Sequence, residues 1–191
     1  MFNKKSVLIF SSLCVLGACS SMPSPEGKPM ADLTFGHLSP VMLQVSDIIR
    51  NEITQDQLDR IPQNFTVPVD DLTNAYVQRR LQAAGGPKKL SVTIDDLSVR
   101  YEQKDSDSAV AEFLGVAKID SYAVTITMDL MLENERNGAV RGRKFTARRV
   151  INISEHVSVA ERERKQLEGV EAMFVDIDRS VLDILQHQFG L

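Results

Sequence analysis

The sequence predicts an α+β protein. Two helices cover one face of a four-stranded, largely antiparallel sheet, a two-layer sandwich in the order β-α-β-β-β-α. Three observations predict it. Tyr122, Val124, Ile126, Met128, Leu130 and Leu132 alternate with Thr125, Thr127, Asp129 and Glu133, the period of a strand with one buried face. Leu167, Val170, Phe174, Ile177, Val181 and Ile184 recur at steps of three and four, which lays them on one stripe of a helix. Shorter alternating runs flank the first pattern at Leu90–Tyr101 and Phe145–Ile153.

Each element has a local reason. Val41 to Ile49, VMLQVSDII, reads as the first strand. Asn51 to Pro68 is polar and irregular, broken by Pro62 and Pro68. Asp70 or Asp71 caps a helix running to about Ala84, and Gly85-Gly86-Pro87 stops it. In the next strand Leu90, Val92 and Ile94 alternate in one phase and Leu97, Val99 and Tyr101 in the other. The slip at Asp95-Asp96 predicts a bulge or a bend. Asn137-Gly138 predicts a tight hairpin turn. Phe145, Ala147, Ile151 and Ile153 then line one face of the last strand. Arg149 shares their phase, so it belongs at an exposed edge or beside a buried carboxylate. Ser158 and Glu161 form a capping box that opens a helix ending near Gln188. Gly169 weakens that helix by about 1 kcal/mol relative to alanine, or permits close approach to the sheet.

The composition excludes several classes of function. The chain has 191 residues, a net charge of −4 and 25% charged residues. That balance is globular, and its acidity argues against a nucleic-acid binder. Residues 1–18 read as a signal peptide, with Lys4 and Lys5 before an apolar run from Ser6 to Leu16. The run is short of the roughly 20 residues needed to span a bilayer. Its end, Leu16-Gly17-Ala18-Cys19, resembles the bacterial lipobox. That resemblance implies diacylglyceryl transfer to the Cys19 thiol, cleavage before it, and acylation of the new amino group. More than one acyl chain makes a stable membrane anchor. Ser20 follows the cysteine where Asp would favour inner-membrane retention, which implies the periplasmic face of the outer membrane. Cleavage also removes Cys14 and leaves no disulfide. Residues 19–36 form the lipidated cysteine and a tether, Pro- and Ser-rich from Ser20 to Ala31. Residues 37–191 form one domain.

No catalytic motif is present: there is no G-x-S-x-G, H-E-x-x-H, G-x-G-x-x-G or Walker loop. His37, His156 and His187 are scattered without metal-ligand spacing. Asp95 and Asp96 are adjacent on a strand, point to opposite faces, and are poorly placed to share a proton. An enzyme, a metal and a cofactor are therefore not expected. Two features can carry interactions. The first is basic: Arg141, Arg143, Lys144 and Arg148, with Arg136 and Arg149. Lys144 and Arg148 share one strand face, and Arg141, Arg143 and Arg149 the other. The zone either meets phosphorylated headgroups or an acidic partner, or is a solvated face paired with acids such as Asp129 and Glu133. The second is the loop Asp105 to Asp120, in which Phe113 and Leu114 either face a partner or lipid or fold onto the core.

From Val41 to Gly190 the order of elements behind a lipobox resembles the LptE family of lipopolysaccharide-assembly lipoproteins. It also resembles the auxiliary lipoproteins of lipid-trafficking ABC systems and uncharacterised proteobacterial lipoproteins. The capped first helix, the strand SYAVTITMDLML, the basic strand GRKFTARRVINI and the C-terminal helix carry the likeness. It implies a non-enzymatic accessory in envelope assembly or lipid transport. Its partners would be the membrane, through the acyl chains, and an integral outer-membrane or transport-system protein. The alternative is a periplasmic module that holds a lipid-like ligand between helices and sheet.

Overall fold

The computed structural model describes residues 35–105 and 118–191. The signal peptide, Cys19, most of the tether, Phe113 and Leu114 lie outside the described residues. The predicted first strand divides into β1 (Val41–Leu43) and β2 (Asp47–Arg50). Leu43, Val45 and Ile48 are all buried, yet Ile48 is out of phase with the other two. A straight strand would turn Ile48 away from the core, so the chain breaks at 44–46. The Ser46 N–H donates to the Lys88 carbonyl at 2.6 Å and fixes the step.

The irregular stretch 51–68 holds one short helix, α1 (Gln55–Leu58). Gln57 is buried there, and its amide donates to the Ile94 carbonyl at 2.7 Å. Helix α2 (Val69–Arg80) starts after Pro68, with no side-chain cap. Asp70 and Asp71 sit in its first turn, where negative charge offsets the helix dipole. The helix stops four residues short of Ala84. Leu81 is 1% exposed and opens β3 (Leu81–Ala83), which pairs in parallel with β1. Pairing there outweighs the helix propensity of Leu-Gln-Ala-Ala. Gly86 then passes the β1–β2 step with φ +140°, where an added Cβ would lie 2.5 Å from the Gln44 carbonyl oxygen. Gly86 thus serves a close backbone approach rather than a helix cap.

The long strands follow the sequence closely. In β4 (Lys88–Asp105) the register against β5 (Lys118–Asn134) shifts between Ile94 and Asp96, leaving Asp95 as the extra residue of a bulge. Lys118–Asp120 belong to β5, so the loop predicted from Asp105 to Asp120 ends earlier. The hairpin to β6 (Ala139–Ser154) has four loop residues, Glu135–Gly138, because Asn134 pairs with Ala139. Gly138 takes φ +67° and donates to the Asn134 carbonyl at 2.8 Å.

The main sheet has the order β2-β4-β5-β6, with β2 parallel to β4 and the other pairs antiparallel. Helix α3 (Val159–Asp183) continues into a π-helical turn, Ile184–Gln188. The Ser158 hydroxyl accepts from the Glu161 N–H at 3.2 Å. Glu161 turns instead to the Arg164 guanidinium, so the cap is half of the predicted box. The even-numbered face of β5 meets the stripe of α3 in one core, where Val124, Ile126, Val170 and Ile177 are 0% exposed. Each large apolar side chain so buried contributes about 1.5–3 kcal/mol. Gly169 lets α3 approach β6: an added Cβ would lie 2.5 Å from Ile151 Cδ1. Among the described residues no helix is long and apolar enough to cross a membrane.

Candidate functional site

Apart from Arg136 in the hairpin loop, the predicted basic residues lie along β6, an outer strand of the sheet. Strand alternation sends them to two sides, as the sequence implied. Lys144 and Arg148 stand on the open face, opposite Asp129 and Thr125. Lys144 forms an ion pair with Asp95 of the bulge. That hydrogen bond holds the Lys144 amine above its ordinary value. Arg141, Arg143 and Arg149 stand on the helix side, opposite Leu132, Leu130 and Val124. Arg143 donates to Gln188 of the π turn and to the Gly142 carbonyl. Arg149 meets Asp176 of α3 at 3.4 Å, and both side chains are more than 40% exposed. It takes the exposed-edge position, and its partner is a surface carboxylate.

Arg141 and Arg148 form no ion pair or side-chain hydrogen bond among the described residues. The cations are thus strung along an edge rather than gathered into a pocket. A shallow groove of about 430 Å³ runs between β6 and the end of α3, lined by Arg143, Lys144, Phe145, Arg179, Asp183 and Gln188. Asp95 and Asp96 diverge: Asp95 turns to Lys144, and Asp96 to Arg60 at 3.1 Å.

Two buried ionic clusters were not anticipated. Asp120, 5% exposed, accepts from the Tyr101 hydroxyl at 2.8 Å and from Gln103 at 3.3 Å, and forms an ion pair with Arg162. Burial alone would raise the Asp120 carboxyl, but the hydrogen bonds from Arg162 and Tyr101 outweigh it and hold it below its ordinary value. Asp120 pins the first turn of α3 to the sheet. A signal for it was in the sequence: it continues the even, apolar phase of β5, where a carboxylate requires a partner. In the second cluster Arg80 of α2 clasps Asp178 of α3 through two contacts, at 2.7 and 3.1 Å. Tyr76 adds a hydrogen bond to Asp178 at 3.0 Å. Burial, then the Asp178 charge, push the Tyr76 phenol far up. Phe35, which the sequence assigns to the tether, is 2% exposed and packs edge-on against Tyr76 and Phe174.

A cleft of about 670 Å³ opens between α2, β4 and the segment after β2. Arg50, Glu52, Asp70, Asp71 and Asn74 line it over a floor of Val92 and Ile94. Charges of both signs line it. Among the described residues no group of three or more His, Cys, Asp or Glu side chains could hold a metal.

No family model and no curated protein matches the chain. Among solved structures, it is similar to a minor lipoprotein from Acinetobacter baumannii at 11% identity and TM-score 0.38, covering 76% of this chain and 94% of that one. A Xanthomonas campestris protein gives 14% identity and TM-score 0.33, with coverage of 76% and 94%. A lipoprotein from Neisseria meningitidis gives 12% identity and TM-score 0.21, with coverage of 71% and 97%. At TM-scores this low the likeness carries no functional argument.

Proposed function

We propose that the chain is a lipid-anchored bacterial envelope protein on the periplasmic face of the outer membrane. There it acts without catalysis, as an accessory in envelope assembly or lipid transport that holds a membrane-protein partner. The observation that carries this is Leu16-Gly17-Ala18-Cys19 at the end of a short apolar run, followed by a Pro- and Ser-rich tether. The chemistry of the domain supports the accessory role. Its buried charges are spent on structural pairs, Asp120 with Arg162 and Asp178 with Arg80, while its exposed cations lie along a strand edge. The space between helices and sheet is filled by side chains such as Val124, Ile126 and Val170, each 0% exposed, which does not favour a lipid held there.

Two measurements test the reading. Metabolic labelling with an alkynyl fatty acid should tag the wild-type chain and not Cys19→Ser, and the variant should leave the membrane fraction. Equal labelling and equal fractionation would overturn the anchor. Crosslinking in the native envelope, then purification in mild detergent, should recover an integral membrane protein. Recovery always as a lone monomer would overturn the accessory role.

A further inference from the structure

The two edges of the main sheet are treated differently. Two hydrogen bonds set the backbone phase: Glu135 N–H to the Pro87 carbonyl at 2.9 Å, and Glu155 N–H to the Lys118 carbonyl at 3.1 Å. Odd residues of β5 therefore bond towards β4 and even residues towards β6. It follows that the even residues of β6 turn their N–H and C=O groups away from the sheet. On the opposite edge, outward groups in the first half of β4 are taken by β2 and the segment after it. Lys88 and Val92 carbonyls accept from Ser46 and Asn51, Ile94 accepts from Gln57, and the Val99 N–H donates to Arg60. The bulge at Asp95 breaks that edge further.

Among the described residues the β6 edge has no such cover. Its pairing with β5 runs from Ala139 to Ser154 without a register shift. Among the described residues, the outward group that meets a protein donor is the Gly142 carbonyl, through Arg143 at 2.8 Å. Bare edges are usually blunted by a bulge, a proline or charge. Here only charge is used: the strand carries Arg141, Arg143, Lys144, Arg148 and Arg149 and no acid, in a chain of net charge −4. Two copies meeting edge to edge would set these cations against each other. Val140 and Val150, 58% and 49% exposed, add apolar contact near either end of the strand.

We propose that this edge takes an extended acidic segment of a partner protein as an added strand. The proposal rests on the accessory reading above and deepens it by naming the partner's chemistry. Main-chain hydrogen bonds supply the attachment, and Asp or Glu side chains opposite the arginines and Lys144 select the partner.

The test uses the full chain in a neutral detergent. The probe is a labelled peptide of about ten residues, alternating Glu with Thr and Val, followed by fluorescence anisotropy. Binding should be saturable and weaken with salt. Joint Arg141→Glu and Arg148→Glu substitution should weaken it about tenfold or more. Val150→Pro keeps every cation but removes one outward N–H, a position where an edge strand tolerates proline; it should also weaken binding, with circular dichroism unchanged. A peptide N-methylated at alternate amides should not bind. Absence of binding by the parent peptide overturns the proposal. So does equal binding of the N-methylated peptide, which would show charge contact without strand pairing. Capture of phosphatidylglycerol vesicles in place of the peptide, or a dimer abolished by Val150→Pro, overturns it in favour of a lipid surface or a second copy. Fatty-acid labelling and envelope crosslinking read the anchor and the accessory role separately, so those readings stand or fall independently of the peptide.

Discussion

Glycine inside an exposed helix is about 1 kcal/mol worse than alanine, so propensity alone says that Gly169→Ala stabilises α3. The packing says the opposite. An added Cβ would lie 2.5 Å from both Cγ1 and Cδ1 of Ile151, against an ordinary carbon contact of about 3.5–4.0 Å. Relief requires a movement of about 1 Å by the helix or by Ile151. Ile151 is 7% exposed and stands opposite Tyr122, itself 0% exposed, so it has little room to give. Overpacking costs about 1–3 kcal/mol. After the gain in helix propensity, a net loss of about 1 kcal/mol remains. The melting temperature should fall by about 2–4 °C. Urea unfolding followed by far-ultraviolet circular dichroism on wild type, Gly169→Ala, Ile151→Ala and the double variant checks the account. Ile151→Ala alone should cost about 2–5 kcal/mol. The added methyl then enters space that has been vacated, so the double variant should be more stable than Ile151→Ala. A coupling of about 1–3 kcal/mol is expected. If Gly169→Ala raises the urea midpoint and the two effects simply add, the close approach does not govern this site.

Two more predictions concern the buried clusters. The Asp120 carboxyl is held below its ordinary value, so its stabilisation is present above the unfolded-state pKa of about 3.9 and is lost as pH falls through the folded value. Asp120→Asn should therefore be less stable than wild type at neutral pH, with a gap that narrows below about pH 4; a gap constant across that window in denaturant titrations would refute the assignment. Asp178→Ala leaves Arg80 without its clasp while both groups are more than 80% buried. It should cost about 3 kcal/mol and raise hydrogen exchange in α2 before the sheet, whereas uniform destabilisation would count against a local α2–α3 clamp.

Much of the fold was legible because side-chain period is a local property. The even face of β5, the stripe on α3 and the bulge at Asp95 each follow from the spacing of a few residues. So does the assignment of Lys144 and Arg148 to one face and of Arg141, Arg143 and Arg149 to the other. The less legible parts turned on distant partners. Helix α2 ends at Arg80 because Leu81 pairs with Val41, forty residues away in sequence, and nothing in Leu-Gln-Ala-Ala announces it. The break between β1 and β2 was written in the phase change from Val45 to Ile48, but only a buried face on both sides of it forces the chain to turn. Asp120 showed as an acid in an apolar phase; its partner Arg162 sits beyond the hairpin, at the start of another element.

The sequence by itself determined which residues turn inward on each strand and on the long helix. Only the tertiary structure decided that, among the described residues, β6 is an outer strand with its backbone unpaired on one side. Alternation of side chains is dictated by neighbours one and two residues away. The position of a strand within a sheet depends on pairings between segments far apart in the chain, and the burial of apolar surface selects among them. The same basic run would be harmless within the sheet; at the rim it becomes the feature another chain can meet.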